Sequence, residues 1–228
     1  MIGLAIEFLL LFFAGPALFT FTRHRIHAIL ALWGMTAYCL YILSRDPGYD
    51  WSRIWSPSAF PKYAPEILAL FALAMAIGIA LLLRFAPSRF LDFPRANPRM
   101  WGAVMILYPV LSVYPQGIVY RAFFFNRYRP LFGSNVLLVL ASAIAFAYVH
   151  IVFRNGLAII LTLLGGLLFA YRFIQTGSLF VSAFEHALYG CAVFTIGIGQ
   201  SFYYSGVRES RSPLKTPDAV ATKPGWYS

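Results

Sequence analysis

Residues 66–83 read EILALFALAMAIGIALLL, and after Glu66 no charged side chain interrupts the run until Arg84. A hydrocarbon core about 30 Å thick needs about 20 mostly apolar residues in a helix, so this stretch reads as a membrane span. Six further apolar runs with polar ends flank it, at about 2–21, 27–44, 100–126, 134–153, 156–173 and 177–199. Of the 228 residues 60% are hydrophobic and 11% charged, with a mean hydropathy of +0.71. A soluble domain carries about 25% charged residues. The expected fold is therefore all-α, a polytopic transmembrane helix bundle of about seven spans (six to eight).

Arg45 to Pro65 and Arg84 to Arg99 are rich in Pro and polar residues and read as loops. The run at 100–126 contains Pro109, Pro115 and Gly117, which predicts a broken or kinked helix. Residues 1–200 form the expected transmembrane domain, and the polar segment 201–228 is expected to be a disordered tail. Cys39 and Cys191 lie inside apolar runs without metal-ligand spacing and read as packing residues.

The net charge of +10 would suggest nucleic acid in a soluble protein, but here the basic residues gather at span ends. No nucleic-acid partner is expected; membrane lipids are. Arg23 and Arg25 follow the first run, Arg84, Arg89, Arg95 and Arg99 the third, Arg154 the fifth, and Arg208, Arg211, Lys215 and Lys223 the seventh. The positive-inside rule then places the amino terminus outside and the carboxy terminus in the cytoplasm, with Arg127 and Arg129 as exceptions. The expected location is a bacterial inner (cytoplasmic) membrane.

Ionisable groups inside the runs are the functional candidates, because each costs roughly 2.5–3.5 kcal/mol at a helix centre. They are Arg121, His150, Glu185 and His186. Three patterns surround them: Pro115-Gln116-Gly117-Ile118-Val119-Tyr120-Arg121, Phe146-Ala147-Tyr148-Val149-His150, and Gly177-Ser178-Leu179 followed by Glu185-His186-Ala187-Leu188-Tyr189-Gly190. Residues four apart share a helix face, so three helices could aim an arginine and two imidazoles at one interior point. Tyr120 and Tyr128 suit an interfacial aromatic belt, and Gly165-Gly166 suits close helix approach.

This layout, from about residue 112 to 199, resembles the CPBP family of CAAX prenyl protease type 2 and bacteriocin-processing intramembrane proteases. The family's motifs are Glu-Glu-x-x-x-Arg, Phe-x-x-x-His and His-x-x-x-Asn or Asp. The resemblance implies an intramembrane endopeptidase acting by water activation on a membrane-embedded or lipidated peptide or protein, with site residues Gln116, Gly117, Arg121, His150 and His186. Gln116 and Gly117 stand where the family has its Glu pair, and Gly190 where it has Asn or Asp. A general base must accept a proton at working pH, which neither Gln116 nor Gly117 can do. A catalytically inactive pseudoprotease that binds a membrane partner is therefore an alternative. A bis-His haem protein is another, and a small transporter lined by the same four ionisable residues a third. No cofactor is expected, with a metal ion at His150 and His186 left open. Glu185 is the expected partner of Arg121, with a substitute-base role as its other reading.

Overall fold

The computed structural model describes residues 1–21 and 27–199. Arg23, Arg25 and the segment 201–228, on which part of the expected topology rests, lie outside the described residues. Seven apolar helices make up the described fold: α1 Ile2–Thr20, α2 His27–Ser44, α3 Phe60–Phe85, α4 Pro98–Arg127, α5 Asn135–Phe153, α6 Gly156–Thr176 and α7 Leu179–Ile196. All but α2 are long and apolar enough to cross a membrane; Ala28–Ser44 is apolar but shorter. Among the described residues there is no strand, and the chain is an integral membrane helix bundle.

The helix ends follow from local chemistry. Ser134, Asn155 and Ser178 cap α5, α6 and α7, each side-chain oxygen accepting backbone N–H bonds from the first turn. Gly177 ends α6 at φ +64°, in the left-handed region that glycine enters without a Cβ penalty. The turn Gly177-Ser178 then brings α7 back alongside α6. α3 begins six residues before the apolar run: Pro61 falls in its first turn, where a missing N–H donor costs little, and Pro65 lies just inside the helix.

Of the expected break or kink in α4, the break is absent: the helix is continuous, and it is irregular where the prolines fall, with two wide π-helical turns at Pro109–Val113 and Ile118–Phe123. A proline frees the carbonyl four residues earlier. Both freed carbonyls find neighbours: Trp33 Nε1 donates to Leu111 O at 3.1 Å, and Cys191 Sγ lies 4.0 Å from Met105 O. α2 and α7 thereby contact the helix at the carbonyls that the prolines free.

The core is aromatic. Phe12, Tyr120, Phe123, Phe124, Phe125, Tyr128 and Phe146 are buried together between α1, α4 and α5. Tyr120 and Tyr128 therefore do not form an interfacial belt. The Tyr128 hydroxyl donates to Glu7 Oε1 at 3.1 Å, and Tyr120 packs edge-on against Phe12 and Phe146. Gly166 lets α6 close on α5, because a Cβ there would lie 3.1 Å from Ala143 Cα.

Helix alternation puts the loop at residues 45–59 and the Gly177-Ser178 turn at one end of the bundle. They are joined there: Ser178 Oγ donates to Ser56 O at 2.6 Å and Arg53 Nε to Gly177 O at 3.4 Å. Asp46 and Asp50 order this loop. Hydrogen bonds from Asn126 and from the Gly48 N–H hold the Asp46 carboxyl below its usual range, and those from the Ser52 hydroxyl and N–H do the same for Asp50. Arg127, an exception to the charge rule, lies at this end and pairs with Glu7 at 2.7 Å. Its charge is thus answered by a neighbouring carboxylate.

Candidate functional site

The site is built around one ring. Phe146, on α5, is 1% exposed and touches all three motif cations or imidazoles. The Arg121 guanidinium carbon lies 4.5 Å from its centroid, the His150 ring 4.9 Å and the His186 ring 5.5 Å. Three separate helices thus converge on Phe146, as the helical spacing of the motifs predicts. A second ring, Phe169 of α6, closes the other side. It stacks on His186 with centroids 4.5 Å apart and an interplanar angle of 19°, and lies 5.6 Å from the Arg121 guanidinium.

Arg121 is 1% exposed, and none of its three guanidinium nitrogens has a hydrogen-bond partner among the described residues. Cation–π contacts with two rings give part of its stabilisation, typically about 2 kcal/mol when desolvated. They do not satisfy five N–H donors. One helical turn before it, Gln116 donates through Nε2 to Ser112 Oγ at 2.7 Å, while its buried Oε1 is left without a partner. An unsatisfied donor group and an unsatisfied acceptor therefore sit a little more than one turn apart on α4. Buried polar groups are rarely left so.

His150 belongs to the terminal 3-10 turn of α5, at the end of the span rather than deep within it. Its Nδ1 is 2.6 Å from Phe146 O. A carbonyl can only accept, so Nδ1 carries the proton and Nε2 is the lone-pair nitrogen of the neutral ring. His186 Nε2 lies 3.5 Å from the Tyr108 hydroxyl.

Glu185 is not the partner of Arg121. Its carboxylate is gripped by Arg172 of α6, with Nε to Oε2 at 2.8 Å and Nη2 to Oε1 at 3.3 Å, both side chains fully buried. Arg172 also reaches Glu66 at 3.1 Å and Gln175 at 2.9 Å. Adjacent residues point about 100° apart on a helix. With His186 turned toward α4 and α5, Glu185 turns toward α6. The sequence reading missed Arg172 because it ends an apolar run, where a basic residue looks like a span-end charge. Its spacing of 13 residues from Glu185, across a tight glycine turn, was the available signal.

The two glycines of the motifs differ in what surrounds them. A Cβ on Gly117 would lie 2.8 Å from Cδ1 of Leu179, the far end of a buried side chain. On Gly190 it would lie 2.4 Å from the ring and hydroxyl of Tyr108. Among the described residues no three His, Cys, Asp or Glu side chains gather as a metal site.

The fold and the site together define an integral membrane helix bundle with an arginine and two histidines brought together from three spans. Residues 98–192, from the start of α4 into α7, match the family model described as type II CAAX prenyl endopeptidase Rce1-like. The match bears out the resemblance carried by the three motifs. Neither a curated protein nor a solved structure matches the chain.

Proposed function

We propose that the protein is a non-hydrolysing member of its family that binds a membrane-associated peptide segment at Arg121. The observation that carries this reading is the pair of unsatisfied groups on α4. Arg121 needs an acceptor oxygen and Gln116 Oε1 needs a donor, and a peptide group offers a C=O and an N–H side by side. The rings of Phe146 and Phe169 exclude water from the guanidinium, which strengthens its contact with a carbonyl or carboxylate. A proton-accepting carboxylate is what the chemistry of hydrolysis lacks. Positions 116 and 117 carry none, and Glu185 is committed to Arg172. The test is binding and cleavage of a lipidated fluorescent peptide by the protein in lipid nanodiscs. Saturable binding lost in Arg121→Met, without cleavage products, supports the reading; absence of binding by the parent overturns it.

A second reading has one observation in its favour. The Nδ1–Phe146 bond presents His150 Nε2 as a proton acceptor, so an imidazole could activate water in place of glutamate. Under this reading the parent cleaves the peptide, and His150→Gln abolishes the cleavage.

A further inference from the structure

Tyr108 lies on α4 two turns before Gln116, outside all three motifs. A seam between α4 and α7 holds it in place. Trp101 Nε1 donates to Thr195 Oγ1 at 3.0 Å, Cys191 Sγ approaches Met105 O, and Phe194 packs edge-on against the Tyr108 ring at 5.3 Å. Positions 101, 105 and 108 share one helix face, so this face of α4 is pinned along about two turns.

The pinned phenol sits where a side chain at position 190 would go. Residue 190 follows His186 by four, and a Cβ there would come within 2.4 Å of Tyr108 Cε1 and Oη and 2.7 Å of Cζ. These atoms belong to one rigid phenol, which cannot bend aside as the end of an aliphatic chain can. The hydroxyl points at His186, 3.5 Å from Nε2, and His186 and Arg121 both pack on the Phe146 ring. At 3.5 Å the contact with the imidazole is at the outer limit of a hydrogen bond, so the hydroxyl can rotate to a better acceptor at small cost.

We infer that Tyr108 is a ligand-contacting residue of this site. Its hydroxyl supplies, from α4, the polar group beside His186 that α7 lacks at Gly190, and donates a hydrogen bond to an acceptor oxygen of the peptide bound at Arg121. Position 190 is glycine because the phenol occupies the space of its side chain. The hydroxyl's role rests on the peptide-binding reading above; the steric exchange between Tyr108 and Gly190 does not.

The experiment compares the full chain with Tyr108→Phe, Gly190→Asn and the double exchange Tyr108→Ala/Gly190→Asn, reading thermal midpoint and affinity for the lipidated fluorescent peptide in nanodiscs. Gly190→Asn is expected to lower the midpoint, and adding Tyr108→Ala to recover most of the loss. Tyr108→Phe is expected to keep the midpoint and bind about tenfold more weakly, the scale of one hydrogen bond. A Gly190→Asn variant as stable as the parent, or one not recovered by Tyr108→Ala, overturns the steric exchange. Equal peptide affinity of Tyr108→Phe and parent overturns the hydroxyl contact while leaving the peptide reading intact. If the parent binds no peptide, the peptide reading and the hydroxyl contact fall together, and the exchange is still decided by the midpoints.

Discussion

Arg172 and Glu185 form a fully buried, two-point ion pair across the α6–α7 turn, with Nε–Oε2 at 2.8 Å and Nη2–Oε1 at 3.3 Å. It fastens the helix that carries His186 to the helix that carries Phe169. It also removes from the site a carboxylate that the sequence alone offers as a substitute base or as the counter-ion of Arg121. Breaking such a pair costs about 3–5 kcal/mol when the remaining charge is stranded; Arg172 keeps Glu66 and Gln175 when Glu185 is neutralised, so the cost of that change lies below this range. Glu185→Gln is therefore expected to lower the thermal midpoint in detergent measurably. The loss should shrink in an Arg172→Met background and stay unchanged in an Arg121→Met background. Equal coupling to both arginines in the double-mutant cycles contradicts the assignment.

Arg121 itself behaves in the opposite way. Its charge is buried against two aromatic faces with no hydrogen-bond partner among the described residues, so Arg121→Met should hold or raise stability, by about 1–4 kcal/mol on the scale seen when buried ions give way to apolar side chains. The same substitution should abolish peptide binding. A large drop in thermal midpoint would show that the guanidinium has a structural partner instead.

Much of this architecture was legible in the sequence, and the misses have identifiable causes. The seven apolar runs coincide with the seven helices because hydropathy over about 20 residues is a property of the segment and not of its neighbours. Convergence of Arg121, His150 and His186 was legible through helical spacing. The continuity of α4 was not: the carbonyls freed by Pro115 and Pro109 are contacted by Trp33 and Cys191, residues 78 and 86 positions away. The burial of Tyr120 and Tyr128 similarly depends on α1, which supplies Phe12 and the Glu7 acceptor. Tyr108 escaped notice because its relation to Gly190 is purely spatial.

Phe146 is the common wall for both imidazoles and the guanidinium. Phe146→Ala should cost about 3–5 kcal/mol from lost burial and the cavity left behind, and should weaken peptide binding beyond what stability explains. Normal affinity in the surviving folded fraction would show that Arg121 keeps its position without the ring.

Restoring a base meets a steric obstacle that the structure locates. A side chain at 117 meets Cδ1 of Leu179, the end of an aliphatic side chain that is itself fully buried and has little room to shift, and overpacking of a filled core costs about 1–3 kcal/mol. Gly117→Glu alone should destabilise the bundle, and pairing it with Leu179→Ala should relieve the clash. The double variant should then gain peptidase activity, since general-base assistance contributes about 10²–10⁴-fold.

The most direct test of the central claim is mass spectrometry of the lipidated peptide after incubation with parent and Gly117→Glu/Leu179→Ala protein in nanodiscs, with binding measured in parallel. The account predicts that the parent binds the peptide and leaves it intact, while the double variant releases cleavage products. Cleavage by the parent at a rate the double variant does not exceed would contradict it.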